Sequence, residues 1–337
     1  MKKNFKMRNH PVKILILLLI SIIFLSCGSS GDSSDGSAKS GAKKFLSVGT
    51  APPGGAFFVV GGAIAQAVSE NLGDTNWQIS SEATKGTQEN IRRLDKGELD
   101  FALANAAISY FAVRGEGAWQ KEHGVNAVMT LAPNVALFIT PASSGIKQLS
   151  DLKGQRVVVG PAGAGFEYFL QPILKAHGVT YDDFTPLNNT QAGAVDMLAD
   201  GSADAAFLGG AVPTASITQA CASQDIYFIP FDEMAKQTLV SGYPFFHPAT
   251  IPAGTYRGQE TDFQGLNVGS MHLVTAATVD EETVYQFTKV LYEHRGDVVK
   301  KHPAGKAINP KNIIRNIGTP FHPGAIRYYK EIDIWPK

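Results

Sequence analysis

The chain has 337 residues, with 30 basic and 30 acidic side chains and a formal net charge of zero. A balanced charge argues against a nucleic-acid binder, which needs a strongly basic face. Two cysteines, Cys27 and Cys221, are too few for a disulfide scaffold.

In chain order, Lys2, Lys3, Lys6, Arg8 and Lys13 form a basic start without an acidic residue, and Ile14 to Leu25 follow as an apolar run broken only by Ser21. That run is about a dozen residues, whereas a membrane-spanning helix needs roughly 20. The pattern predicts a secretory signal over residues 1–26. Ser26-Cys27 resembles the lipobox of bacterial lipoproteins, with Phe24 where that pattern prefers leucine. The resemblance implies lipidation of Cys27 and a membrane anchor, on the periplasmic face or at the cell surface. Loss of the leader takes five basic residues and leaves 25 basic against 30 acidic, a net charge of −5. Residues 27–44 are rich in Gly and Ser and read as a flexible tether.

The body then alternates. Phe45 to Thr50 reads as a strand, Val59 to Leu72 as a helix with Val60, Ile64, Ala67 and Val68 on one stripe, and Trp77 to Ser81 as a second strand. A helix is predicted over Glu89 to Lys96 and a third strand over Leu99 to Ala104. This spacing of strands and helices predicts a parallel-sheet lobe. Val135 to Thr140 starts again as a strand, followed by a short helical segment from Ile146 to Lys153 and a strand from Arg156 to Gly160. A helix through His177, a helical stretch over Val195 to Asp200 and a strand over Ala203 to Leu208 continue this second series. Asn267 to Thr278 reads as one strand that returns the chain to the first lobe, and Glu281 to Glu293 as a helix burying Val284, Phe287, Val290 and Leu291. Lobe one is therefore placed at 45–134 plus 271–337, and lobe two at 135–270.

Three loops occupy the same place, after a strand and before a helix: Gly49 to Phe57, Thr84 to Asn90, and Gly160 to Glu167. Ligands of open α/β sheets bind at such strand ends. Helix N-termini there offer free N–H groups and partial positive charge, which suits carboxylate or phosphate. Thr50, Thr84, Thr87 and Asn90 are candidate side-chain donors, and Lys85 is the single basic side chain in these loops. The same threonines and glycines also make ordinary caps and turns, Lys85 reads equally as a solvated lysine, and Tyr110 and Tyr168 read as lids or as core.

The run Val48-Gly49-Thr50-Ala51-Pro52-Pro53-Gly54-Gly55-Ala56-Phe57 resembles the opening of the TAXI family of TRAP-transporter receptors. Ala83 to Asn90, Asp151 to Val157, Val159 to Gly165 and Ile251 to Tyr256 are similar to further segments of that family. The resemblance covers most of residues 45–325. It implies an α/β, two-lobed type II periplasmic-binding-protein fold, each lobe a mixed, mainly parallel sheet flanked by helices. It also implies hinge closure on a small organic acid or amino acid, delivered to a membrane permease. The site residues it implies are Thr50, Gly54, Gly55, Phe57, Thr84, Lys85, Gly86, Thr87, Asn90 and Asn105, with Gly163, Gly165, Phe166, Glu167, Gly209 and Gly210 from the second lobe. Where relatives show a glutamine followed by Ser-Asp, this chain has Asn105-Ala106-Ala107, so the carboxylate is missing. That departure favours a dicarboxylate or oxoacid over an amino acid.

Neither a cofactor nor a metal is expected. Gly163-Ala164-Gly165-Phe166-Glu167-Tyr168 lacks the third glycine of a dinucleotide fingerprint, no Gly-x-Ser-x-Gly elbow occurs, and the eight histidines show no zinc-protease spacing. The chain is thus read as a non-enzymatic receptor. A surface lipoprotein acting as antigen, adhesin or scaffold, without a transported ligand, is the other reading.

Overall fold

The computed structural model describes residues 43–73 and 75–336. The predicted signal 1–26, Cys27 and nearly all of the tether lie outside the described residues. No helix among the described residues is long and apolar enough to cross a membrane.

The first run of the chain folds as β1 (Lys44–Gly49), α1 (Ala56–Glu70), β2 (Trp77–Glu82), α2 (Thr87–Asp95), β3 (Phe101–Asn105), α3 (Ala106–Ala112) and β4 (Val125–Thr130). The second is β5 (Val135–Pro141), β6 (Arg156–Val158), α4 (Glu167–Ala176), β7 (Thr185–Leu187), α5 (Gln191–Ala199), β8 (Ala205–Gly210), α6 (Ala215–Ser223), β9 (Ile226–Ile229), α7 (Glu233–Gly242), β10 (Phe246–Ile251) and β11 (Phe263–Val268). The chain then returns through β12 (Met271–Ala276), α8 (Glu281–Glu293), α9 (Arg295–Lys301), α10 (Pro310–Ile313) and α11 (Pro323–Glu331).

Two mixed sheets result. The first has the order β2-β1-β3-β12-β4, and the second β10-β11-β5-β8-β6-β7, with β9 also paired to β5. In the first, β1 pairs in parallel with β2 and β3, and β12 runs antiparallel to β3 and β4. In the second, parallel pairing is confined to β7-β6-β8. The antiparallel share is larger than a repeated strand–helix–strand series predicts, because β5 and β11, the strands next to the crossings, lie antiparallel to each other and β5 to β8.

Every residue of β3, β8 and β12 is buried, as expected of strands covered on both faces. On α1 the predicted stripe of Val60, Ile64, Ala67 and Val68 is the buried face. On α8, Val284, Phe287 and Leu291 are buried, and Phe287 stacks on Phe101 of β3 with ring centroids 4.0 Å apart.

The predicted strand over Asn267 to Thr278 is in fact two strands in different sheets. Gly269-Ser270 breaks it: Gly269 has φ +106°, and a β-carbon there would stand 2.5 Å from Asn105 Oδ1. An apolar run with one glycine carries the same pattern as a continuous strand, so periodicity misses the break.

Residues 131–134 make the other crossing between the sheets. The two crossings are tied together, since Asn134 N donates to Asn267 Oδ1 (3.1 Å) and Asn267 Nδ2 to Ser270 Oγ (2.9 Å). Asn105 anchors them to α3. Its Nδ2 donates to the carbonyls of Val268 (3.2 Å) and Gly269 (2.9 Å), and its Oδ1 accepts from the N–H groups of Ala107 and Ile108. The C-terminal segment braces them from outside, with Asn312 Nδ2 donating to the carbonyls of Thr130 and Leu131, and Arg315 Nη2 to Ser270 Oγ.

Two predictions follow from this packing. Replacing Asn105 by Ala uncaps α3 and strands two buried carbonyls. A loss of about 2–4 kcal/mol is expected, read from urea unfolding. The second concerns acid. Burial lowers the pKa of His123, His177, His247, His302 and His322, and takes fully buried His272 down to about 3. The unfolded chain therefore binds more protons below pH 6.5. Stability is full above pH 6.5 and falls toward pH 3, by roughly 1.4 kcal/mol per pH unit for His272 alone. Urea midpoints at pH 7.5, 6 and 5 check the slope, and a flat profile contradicts it.

Candidate functional site

Three predicted loops meet in one place, between the two sheets. They bound a cavity whose empty space is roughly 600 Å³ when the open mouth is counted in. Its walls come from the first loop (Ala51, Pro52, Pro53, Gly55, Ala56, Phe57), the second (Lys85, Gly86, Thr87) and the third (Pro161, Ala164, Phe166), with Asn105, Asn134, Phe169, Gln191 and Gly209.

The loops touch across the gap. Gln88 N donates to the carbonyl of Ala164 (3.3 Å). Gly86 caps α2 at φ +116°, a conformation that strains any residue with a β-carbon. A β-carbon added at Gly54 would meet Ala192, and one at Gly210 would meet Ala56, both at 3.6 Å. The two sides of the cavity are therefore in contact around its rim. Beside it, Phe111 and Tyr110 from the first side pack on Phe245, and Phe111 also packs on Tyr168 and Tyr243. Tyr110 and Tyr168 belong to this aromatic seam and are absent from the cavity wall.

Helices α1, α2 and α4 all start at the cavity, and none has a side-chain cap. By contrast Thr190, Asp232 and Asp280 cap α5, α7 and α8. An uncapped first turn leaves N–H groups and partial positive charge available. Lys85 is the only ionisable side chain on the wall; it is exposed and has no ion pair among the described residues. Phe57, Phe166 and Phe169 supply apolar surface.

Of the residues expected here, Gly55, Phe57, Lys85, Gly86, Thr87, Asn105, Phe166 and Gly209 line the cavity. Thr50, Gly54, Thr84, Asn90, Gly163, Gly165, Glu167 and Gly210 do not. The reason for the polar ones is internal bonding. Thr50 Oγ1 donates to the Glu82 carbonyl (2.8 Å), and the Thr50 carbonyl accepts from Thr84 Oγ1 (3.1 Å) and Asn90 Nδ2 (2.8 Å). Asn90 also donates to the Leu103 carbonyl, and Thr84 Oγ1 accepts from Gly86 N. These three side chains hold the two loops together behind the cavity. Gly165 packs against Gln88 and Ile108, Gly163 is exposed, and Glu167 lines a separate groove with Tyr168 and Gln171. Even Asn105, on the wall, has its amide committed to the crossing, and Thr87 Oγ1 accepts from Asn105 N (3.0 Å).

Sequence reasoning missed Asn134, Phe169 and Gln191. Asn134 is buried, and its side-chain amide has no hydrogen-bond partner among the described residues. Gln191 Nε2 donates to the Gly209 carbonyl (2.6 Å), and its Oε1 accepts from Ser216 Oγ (3.0 Å). Nothing in the local pattern marks Asn134 except a polar residue between apolar strands.

Comparison with known proteins fits this geometry. A family model described as the NMT1-like family matches residues 48–332. The chain belongs to the NMT1-like family. Among solved structures, this NMT1-like chain is similar to a binding-protein component of an ABC phosphonate transporter from Pseudomonas aeruginosa (TM-score 0.54, 11% identity, 77% of this chain and 79% of that one). It is also similar to a protein of Bordetella bronchiseptica (TM-score 0.53, 15% identity, covering 86% and 82%). A third is PhnD1 from Prochlorococcus marinus in complex with methylphosphonate (TM-score 0.52, 13% identity, covering 86% and 96%). At these identities the likeness shows the fold, which is that of type II periplasmic binding proteins.

Because Thr84 Oγ1 serves the backbone, Thr84→Ala is expected to cost about 1–3 kcal/mol in the absence of any ligand. Denaturant unfolding of the unliganded protein checks this, and unchanged stability would place the hydroxyl in the cavity instead.

Proposed function

We propose that this chain is an extracytoplasmic solute receptor that closes two lobes, 45–134 plus 271–337 and 135–270, around a small organic anion. The observation that carries the reading is the charge of the cavity wall: one lysine, three uncapped helix starts and no carboxylate. An anion gains from all of these, and an ammonium group finds no acid to pair with. Lys85 pairs with the carboxylate, the amide of Asn134 faces its polar atoms, and Phe57, Phe166 and Phe169 cover an apolar body. One cation favours an oxoacid or monocarboxylate over a glutamate-like amino acid.

The motif resemblance in the three loops favours a TRAP-type permease as the recipient, and the Ser26-Cys27 pattern favours a lipid anchor at Cys27. Closure brings the loops into contact around the ligand, and the closed form is what the permease recognises. The cross-cavity contact of Gln88 with Ala164 belongs to that closed form.

Thermal unfolding with a panel of carboxylates tests the reading. A ligand at 100 times its Kd adds about 2.7 kcal/mol of stability. Lys85→Gln is expected to weaken that ligand about 2- to 5-fold, the effect of losing an exposed charge pair. If no carboxylate stabilises the wild type, and native mass spectrometry finds no co-purified acid, the scaffold reading stands instead.

A further inference from the structure

A second groove lies behind the crossings, on the face opposite the cavity. Its empty space is roughly 1030 Å³, counting its open side. The crossing segment alternates between the two: Asn134 lines the cavity, whereas its neighbours Pro133 and Val135 line the groove. Likewise Gly209 faces the cavity and Ala211 the groove.

The groove holds an unpaired cation. Arg315 lines it, is partly buried, and makes no ion pair among the described residues. Of the five N–H donors of a guanidinium, only one has an acceptor, through Nη2 to Ser270 Oγ at 2.7 Å. Arg315 Nε is sealed from solvent with no partner. Burial is the one influence acting on this group, and it lowers its pKa. His247, from β10 on the opposite wall, is close enough for the guanidinium to depress its pKa further, after the larger effect of burial. No carboxylate lines the groove. A half-buried charge with so few partners is costly to keep, and removing water while supplying no acid is an arrangement that an exogenous anion completes.

We propose that this groove is a second anion site, in which the Arg315 guanidinium binds a small free oxyanion such as phosphate from behind the hinge. Its walls come from both sides of the crossings, with Arg315, Pro303 and Ala304 on one and His247, Pro248 and Thr250 on the other. Bending at 131–134 and 269–270 to open the front cavity changes the width of this groove. Occupancy of the groove and the angle between the sheets are therefore linked, and each site biases the other.

The test is a phosphate titration at constant ionic strength, read by thermal unfolding and by calorimetry. The wild type is expected to show a saturable rise in Tm, and Arg315→Gln to lose it. Lys85→Gln is expected to keep the phosphate response, which separates this site from the front cavity whatever the fate of the carboxylate reading. Arg315→Lys keeps the charge and is expected to restore at least part of the response, which covers the case in which Arg315→Gln fails to fold. Absence of a saturable response in the wild type overturns the proposal. So does an unchanged response in Arg315→Gln, or its loss in Lys85→Gln.

Discussion

The carboxamide of Asn105 is the contact on which the arrangement depends. It sits where β3 ends, α3 begins and the chain crosses from one sheet to the other, and it bonds to all three. Its N–H groups hold the carbonyls of Val268 and Gly269, its oxygen caps α3, and its backbone N–H donates to Thr87. A carboxylate at this position has no N–H with which to hold those carbonyls, and an apolar residue leaves them unpaired. Gly269 has to be glycine for the same reason, since the amide oxygen occupies the space of a β-carbon. The position read from sequence as a ligand donor is also a structural clamp, and it lines the cavity.

That clamp fixes the geometry of both cavities. The crossing at 131–134 contributes Asn134 to the front cavity and Ala132 and Pro133 to the rear groove. Extended backbone points successive side chains to opposite sides, so Asn134 reaches forward while Pro133 and Val135 reach back. The bonds from Asn134 to Asn267, Ser270 and Arg315 then run from one face of the crossings to the other. A change in the angle of the sheets cannot leave this chain of contacts unaltered.

Much of the fold was legible because its signals are local. The stripe on α1, the apolar run of β3 and β8, and the buried face of α8 follow from periodicity alone. What escaped depends on partners distant in sequence. The break at Gly269-Ser270 is enforced by Asn105, more than 160 residues earlier, and the short strands β7 and β9 owe their pairing to β6 and β5. At the site, loops placed after strands and before helices do line one cavity, and that much follows from strand ends and helix starts visible in sequence. The roles of individual side chains were not visible. Thr50, Thr84 and Asn90 look like ligand donors in any reading of composition, yet their side-chain donors all face backbone carbonyls. Only a three-dimensional account of acceptors distinguishes a threonine that braces a loop from one that meets a solute.

The charge of the front cavity bears on how closure and binding cooperate under the proposed function. The nearest acids are turned to other tasks: Glu89 accepts from Lys85 N, and Glu167 lies in the separate groove beside Tyr168. Lys85 itself is exposed, and in open water such a charge pair is worth only about 0–1 kcal/mol, screened by salt. The same pair strengthens as water leaves, because Coulomb attraction scales inversely with the local dielectric. Three phenylalanine rings on the wall keep water from its apolar part, but Lys85 stays exposed although the loops already meet. Under the proposed function the anion therefore draws on the uncapped helix starts inside the cavity more than on Lys85, and it shifts the population of lobe angles only as far as those contacts differ between the two forms. An amino acid would carry its ammonium group into the same dry, acid-free space and lose there what its carboxylate gained.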